Sequence, residues 1–309
     1  MNRAPTPTSG PRLSLYTTFK LGGPCRGLTT CATRVELRRA IEALGEVGES
    51  FVLMGGGSNL LVSDAGIDSQ VLRYYSERPL ISRQGNELLV QASTRLDDLA
   101  THAINQGLDG LICCTGIPGT VGGAIAGNAG AFGEQIGDRV VSITAMDRHG
   151  NEREMTADEL EFGYRTSRLA DTGTIVVAAR LRLRPGDRER LRVRRQEILA
   201  LRASKHPDWQ RIPTAGSFFK NIEPTSKAER RQAAGWFLEQ AGAKSLRVGG
   251  ARTFDKHANI IIAERGCTAA DVAELARQMA ARVKEQFGLV LQPEVRLLGS
   301  WPGETGVIP

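Results

Sequence analysis

Aromatic residues are scarce in this chain of 309 residues, at 5%. Stacking platforms for single-stranded nucleic acid need interleaved aromatics, and the sequence supplies none in its basic stretches. Cysteine is equally sparse. The five residues, Cys25, Cys31, Cys113, Cys114 and Cys267, are odd in number and form no C-x-x-C pair. That argues against a disulfide framework and a zinc site and points to a reducing, cytoplasmic compartment. The four histidines, His102, His149, His206 and His257, lie scattered with no metal-ligand spacing, so no metal is expected. No apolar run approaches the roughly 20 residues of a membrane span. The stretch at 1–13 lacks the apolar core of a secretory signal, and residues 1–12 read as a flexible Pro/Thr/Ser tail. There is no G-x-G-x-x-G at a strand-to-helix turn, no GK[ST], and no G-x-S-x-G elbow.

What remains is an ordinary globular composition, 41% hydrophobic and 24% charged, with a net charge of +6. Glycine is plentiful, at 35 residues, and clustered. Thr33 with Glu36, Ser226 with Glu229, and Thr268 with Asp271 have capping-box spacing, and Thr94 precedes a fourth helical pattern. Gly242 and Gly288 stand where the last two of these helices should end. Strands are expected at 51–54, 88–92, 140–146, 174–184 and 289–298, with a hairpin turn at His149, Gly150 and Asn151. Helices and strands mix without strict alternation, which predicts an α+β fold. A boundary falls near Pro185, Gly186 and Asp187.

Two glycine-rich segments carry the first chemical signal. GGGSNLL at 55–61 follows a strand directly, and GIPGTVGG at 116–123 leads into NAGAFG at 128–133. Bare backbone lets N–H groups converge on an anionic oxygen, and two such loops fit a shared pyrophosphate cradle. Either alone could equally be a tight turn. Arg165 in FGYRTS could clamp a carboxylate through its planar fork, or simply lie on the surface. Ser217 in AGSFFKN offers a hydroxyl in an apolar setting, or a strand edge. Glu294 falls in an otherwise apolar C-terminal segment. Buried there, it would have a raised pKa suited to acid chemistry; paired with Arg296 it would be structural. Nine arginines lie between Arg180 and Arg202. Arg188, Arg192 and Arg195 share a helix face, and interleaving with Glu189 and Glu197 favours a solvated face over a polyanion-binding one.

Taken in order, TTFKLGGP at 17–24, GGGSNLLVSD at 55–64, GIPGTVGGAIAGNAGAFG at 116–133, FGYRTS at 162–167, AGSFFKN at 215–221, AAGWFLEQAG at 233–242, VGGARTFDKHANIII at 248–262 and PEVRLLG at 293–299 resemble the UDP-N-acetylenolpyruvoylglucosamine reductase family. The resemblance implies an FAD-binding domain of the vanillyl-alcohol-oxidase (PCMH) type in two subdomains, at 13–75 and 76–186, and a C-terminal α+β substrate-binding domain at 187–309. It implies noncovalent FAD and NADPH as hydride donor. The reaction implied is reduction of UDP-N-acetylglucosamine enolpyruvate to UDP-N-acetylmuramate, in peptidoglycan precursor synthesis. The partners implied are therefore the UDP-sugar and NADPH, with neither nucleic acid nor membrane insertion. FAD contacts are expected from Gly55, Gly56, Gly57, Ser58, Asn59 and Leu60, and from Gly116, Ile117, Pro118, Gly119, Thr120, Gly122, Gly123 and Ala124. Arg165 matches the family's carboxylate-binding arginine, Ser217 its proton donor and Glu294 its second acid. Tyr164, Lys205, Asn221 and His257 match substrate-side positions. The sequence departs from the family pattern at Thr17, where asparagine is frequent, and at Ile222, where proline is usual. The short segment between Arg165 and Thr174 resembles the branch lacking a tyrosine-bearing insertion. Another oxidase of the same FAD-binding fold is the alternative, which the trio FGYR, GSFFKN and PEVR disfavours.

Overall fold

The computed structural model describes residues 10–170, 172–224 and 231–301. The chain divides into two compact units, and neither is continuous in sequence. One gathers Met1–Arg26, Gly57–Asp68 and Ala203–Pro309; the other holds Gly27–Gly56 and Ser69–Arg202. Each has its own apolar core.

The second of these units is built on a five-stranded antiparallel sheet. Its order is Glu152–Thr156, Val140–Met146, Ile175–Arg182, Glu87–Gln91 and Ile81–Gln84. The two-residue period is visible in the central strand, where Val177, Ala179 and Leu181 are buried while Arg180 and Arg182 face out. The expected strand 140–146 is found unchanged, and Met146 pairs with Glu152 across the His149–Asn151 turn. A second sheet places Phe51–Met54 parallel to Ile67–Tyr74. Four helices belong largely to this unit: α1 (Arg34–Glu46), α2 (Leu96–Asn105), α3 (Val121–Ala126) and α4 (Arg188–Lys205).

Helix α1 opens on the reciprocal Thr33–Glu36 capping box. A helix follows Thr94 as expected, but Thr94 does not cap it. Helix α2 has Arg95 at its N-cap with no side-chain cap, because the Thr94 hydroxyl is taken by the Leu80 amide at 3.1 Å. On α4, Arg192 meets Glu189 and Arg194 meets Glu197, both at 2.8 Å, which is the solvated pattern. Arg195 does not share it, since its guanidinium turns in to Asp97.

The other unit packs α5 (Ala234–Gln240) and α6 (Ala269–Phe287) on a small antiparallel sheet containing Ala251–Phe254 and His257–Ala263. Helix α6 has the expected Thr268–Asp271 box and ends on Gly288 at φ 69°. Ser226 and Glu229 lie outside the described residues, as does the tail over 1–9. Residues 10–12 are tied down, with the Cys25 amide donating to Pro11 at 3.0 Å. The strand expected at 289–298 shrinks to Arg296–Leu298, which runs parallel to Leu60–Val62. Glu294 therefore precedes the strand and is half-buried.

Candidate functional site

In the unit holding both Gly56 and Gly119, the two glycine-rich loops meet backbone to backbone. A Cβ on Gly56 would stand 3.0 Å from the Gly119 Cα, and one on Gly55 only 2.4 Å from the Thr120 hydroxyl. Glycine is required there by close approach rather than by an unusual backbone angle at Gly56. The sequence suggested a row of free N–H groups at 116–123, and the structure narrows it. Gly116 donates to the Asp97 carboxylate at 2.7 Å, Ile117 to Cys114, Val121 to Thr94, Gly122 to Ala92 and Gly123 to the Thr120 hydroxyl. Among the described residues the amides of Gly56, Gly119 and Thr120 have no acceptor. Those three unspent donors lie where the two loops touch.

Asp97 anchors the start of the second loop. Arg195 grips it with both terminal nitrogens, at 2.8 and 2.7 Å, while Gly116 donates from the other side. Burial opposes the Asp97 charge, yet these hydrogen bonds outweigh it and hold the pKa below the ordinary carboxylate value. Nearby, Cys113 and Cys114 are fully buried with sulfurs 3.8 Å apart, which places them in the core beneath the loop.

Arg165 sits in the tight turn between Gly163 and Thr166 with φ 54°, a left-handed conformation that costs a non-glycine residue energy. Asn128, also left-handed at φ 44° and fully buried, holds that turn. Its Nδ2 donates to the Gly163 carbonyl at 2.8 Å and its Oδ1 accepts from Gly137 at 3.0 Å. The Arg165 guanidinium donates to the Gly130 carbonyl at 2.7 Å and lies beside the Tyr164 ring, 5.4 Å from its centroid. The NAGAFG segment thus serves as a seat for Arg165. Along the sequence the segment reads as a further glycine-rich turn, and nothing there singles out Asn128.

In the other unit, Ser217 and Glu294 come together. The segment at 214–222 threads between two neighbours, bridging Ile260 at Ser217 and Pro293 at Phe219. The Glu294 amide donates to the Phe218 carbonyl at 2.8 Å. Asn259, 2% exposed, locks the threading strand: its Oδ1 accepts from Phe219 and its Nδ2 donates back to Phe219, at 2.9 and 2.8 Å. Asn59, from the first glycine loop, donates to the Glu294 carbonyl at 2.9 Å and accepts from Arg296 at 3.0 Å. Gly57 is packed against the TTFKLGG motif, where a Cβ would lie 2.1 Å from the Tyr16 carbonyl.

The remaining expected residues are less concentrated. Asn221 accepts from the Ala234 amide at 3.2 Å, at the start of α5. Lys205 is exposed at the end of α4. His257 opens its strand, with Nδ1 accepting from Asn259 at 3.2 Å and His206 tilted 5.6 Å away. Burial draws the His257 pKa below its ordinary value, which keeps the ring neutral near pH 7. No group of three metal-ligating side chains exists among the described residues.

Residues 206–298 match the model for the C-terminal domain of UDP-N-acetylenolpyruvoylglucosamine reductase, and residues 26–156 match that for an FAD binding domain. The protein named UDP-N-acetylenolpyruvoylglucosamine reductase in Heliobacterium modesticaldum is 39% identical over 295 residues, covering 94% of this chain and 90% of that protein. The chain belongs to the UDP-N-acetylenolpyruvoylglucosamine reductase family. The reductase of Rubrobacter xylanophilus is similar at 38% identity, over 93% of each chain. The crystal structure of the Thermus caldophilus reductase superposes with a TM-score of 0.76 at 34% identity, covering 93% of this chain and 97% of that one. The reductase fold thus combines an FAD-binding domain with the family's C-terminal domain, and the whole is mixed α and β.

The residues present suit FAD. Three amides with no acceptor among the described residues lie where the two glycine loops touch, and such donors are of the kind a pyrophosphate takes. Arg202 is half-buried, and its Nε and Nη2 are buried without a hydrogen-bond partner among the described residues.

Proposed function

We propose that this chain reduces UDP-N-acetylglucosamine enolpyruvate to UDP-N-acetylmuramate at the expense of NADPH, as its family does in peptidoglycan precursor synthesis. It is a flavoprotein oxidoreductase of that family. The observation that carries the reading is the near full-length match to a reductase, 39% identical over 94% of the chain. Bound FAD supplies the relay that takes hydride from NADPH and passes it to the enolpyruvyl double bond. Gly55, Gly56, Gly57, Ser58, Asn59 and Leu60, with the residues from Gly116 to Ala124 named above, hold it without a covalent link.

The protein's own residues answer the charge that hydride transfer creates. Adding hydride to the double bond drives electron density into the substrate carboxylate, so a fixed cation must be waiting there. Arg165, seated on the Gly130 carbonyl, takes that carboxylate, with Tyr164 beside it. Glu294 assists as an acid. Ser217 gives its proton to the neighbouring carbon. A neutral hydroxyl is a weak acid, and the donation is useful only against a strongly basic carbanion away from water. The adjacency of Ser217 and Glu294 supports a shared task. Lys205, Asn221 and His257 serve the sugar nucleotide. By ligand, we assign cofactor binding to 13–75 and 76–186 and substrate binding to 187–309; the two compact units divide the chain by packing.

No described helix is long and apolar enough to cross a membrane. The sparse cysteines, odd in number and with no C-x-x-C spacing, support a cytoplasmic setting. The paired arginines of α4 support a solvated face rather than a nucleic-acid surface.

The decisive experiment is anaerobic. The purified protein is expected to be yellow, to bleach on NADPH, and to recover its colour when the enolpyruvyl sugar nucleotide is added. A colourless protein that cannot be reconstituted with FAD overturns the reading. Rapid recovery with oxygen and peroxide release, and none with the sugar nucleotide, favours an oxidase.

A further inference from the structure

Cys113 and Cys114 are nucleophilic side chains that the reaction leaves unused. They close the short helical turn Ile112–Cys114, both fully buried, with their sulfurs 3.8 Å apart. Side chains of consecutive helical residues do not ordinarily face each other, and these two do. The Ile117 amide, inside the second glycine loop, donates to the Cys114 carbonyl at 3.2 Å, and the Cys114 amide donates to Leu111 at 3.0 Å. The same turn packs against Gly130–Ala131, and the Gly130 carbonyl seats Arg165. Thr115, the next residue, is fully buried, and its hydroxyl has no partner among the described residues. Such an unsatisfied group is rare in a finished core, and moving this corner breaks no hydrogen bond of that side chain.

A disulfide holds its sulfurs about 2.05 Å apart, so closure would draw this pair together by roughly 1.8 Å. Adjacent Cα atoms lie about 3.8 Å apart, below the span of about 4.4–6.8 Å that bridged residues usually take. The eight-membered ring therefore forms only by bending the turn, and a bridge so strained is readily reduced again. The two thiols are not equivalent. Contact with Cys114 lowers the pKa of Cys113, whereas the same contact and burial raise that of Cys114 well above the ordinary thiol value. Cys113 is thus the sulfur that attacks first.

We propose that Cys113 and Cys114 form a reversible redox site, which a peroxide closes into a disulfide of adjacent residues and which loosens the second glycine loop when closed. The Cys113 sulfur attacks one peroxide oxygen, the O–O bond breaks, and the other oxygen leaves as water. The Cys114 sulfur then attacks the Cys113 sulfenic acid, the S–O bond breaks, and a second water departs. Two thiols and one hydrogen peroxide give one disulfide and two waters; the sulfurs lose two electrons and the peroxide gains them. Neither sulfur reaches solvent, so the oxidant is small and enters when the turn opens. Bending the turn displaces the carbonyl on which the Ile117 amide hangs and disturbs the strand that seats Arg165. The effect on the loop rests on the FAD-dependent reading above; the closure itself does not.

The test uses the full-length protein, with and without FAD. Trypsin cuts after Arg95 and Arg139 and nowhere between, so one peptide, 96–139, carries both thiols and no other cysteine. After hydrogen peroxide, denaturation and alkylation, that peptide is expected to be two hydrogens lighter and unalkylated. Dithiothreitol before alkylation is expected to restore both thiols. Oxidised FAD is expected to bind the bridged protein about tenfold more weakly than the dithiol form. By linkage, saturating FAD then raises the reduction potential of the bridge by about 30 mV, read in a glutathione buffer. Cys113→Ala and Cys114→Ala are expected to keep FAD through the same treatment. If both thiols remain alkylatable, or either bridges instead to Cys25, Cys31 or Cys267, the pair is core packing and the proposal fails. If the bridge forms and FAD affinity does not move, the link to the loop is overturned. Should the alanine variants not fold, the wild-type peptide mass and the FAD affinities of its two forms decide. Wild-type protein that takes up no FAD would sink the functional reading, and the mass of peptide 96–139 would still decide the closure.

Discussion

Asn128 and Arg165 both adopt left-handed backbone conformations, and the first holds the turn that carries the second. The Asn128 amide donates to Gly163 at 2.8 Å, two residues before Arg165, and the Asn128 backbone leads to the Gly130 carbonyl that receives the Arg165 guanidinium at 2.7 Å. Two strained residues thus support one cation.

That arrangement predicts that Asn128→Ala lowers turnover about tenfold while FAD remains bound. Stability should fall by about 2 kcal/mol, from two lost buried hydrogen bonds and a left-handed alanine. Asn128→Gly should recover part of the melting temperature and none of the turnover. Steady-state kinetics and thermal melts of the two variants check this. Recovery of turnover in the Gly variant would show that only the backbone matters.

Ser217→Ala should separate the two halves of the reaction. Flavin bleaching by NADPH should proceed at the wild-type rate, and recovery by the sugar nucleotide should slow by about a hundredfold or more. Stopped-flow absorbance reads both phases. Glu294→Gln should slow the same second phase.

Gly56→Ala places a methyl group 3.0 Å from the Gly119 Cα, where backbone must give way. The variant is expected to purify folded and nearly colourless, with FAD affinity reduced at least about tenfold. Its melting temperature should respond less to added FAD than that of wild type.

Asp97→Asn tests the anchor of the second loop. Hydrogen bonds hold the folded Asp97 pKa below the ordinary value, so the unfolded chain takes up the proton first. Its contribution is fully present above about pH 4 and is lost as pH falls through the folded value. Melts of wild type and variant should therefore differ at pH 6–7, by about 1–2 kcal/mol after allowance for a partly exposed pair, and converge in acid. A gap that persists unchanged at pH 3 would contradict this.

Local signals were legible in the sequence. The Thr33–Glu36 and Thr268–Asp271 boxes, and the strand Val140–Met146, depend on neighbours within a few residues and were read correctly. Thr94 misled because a distant amide, Leu80, claims its hydroxyl. The C-terminal strand was drawn too long because only Arg296–Leu298 finds a partner, at Leu60–Val62. Ser217, Arg165 and Glu294 were each weak as single residues, and only the ordered set of motifs made them candidates. Asn128 and Asn259 stayed hidden. Their roles depend on a positive φ and a clamp between remote strands, and neither leaves a pattern along the chain.

The parallel pairing of Arg296–Leu298 with Leu60–Val62 has a consequence for biosynthesis. The early strand waits through more than two hundred residues of translation before its mate emerges. Closing so long a loop is entropically costly and late, and such distant contacts slow folding. A chain stopped before Arg296 would lack the mate of Leu60–Val62 altogether. Nascent chains stalled before residue 296 should accordingly be sensitive to protease around residue 60, and chains that extend beyond Leu298 should not.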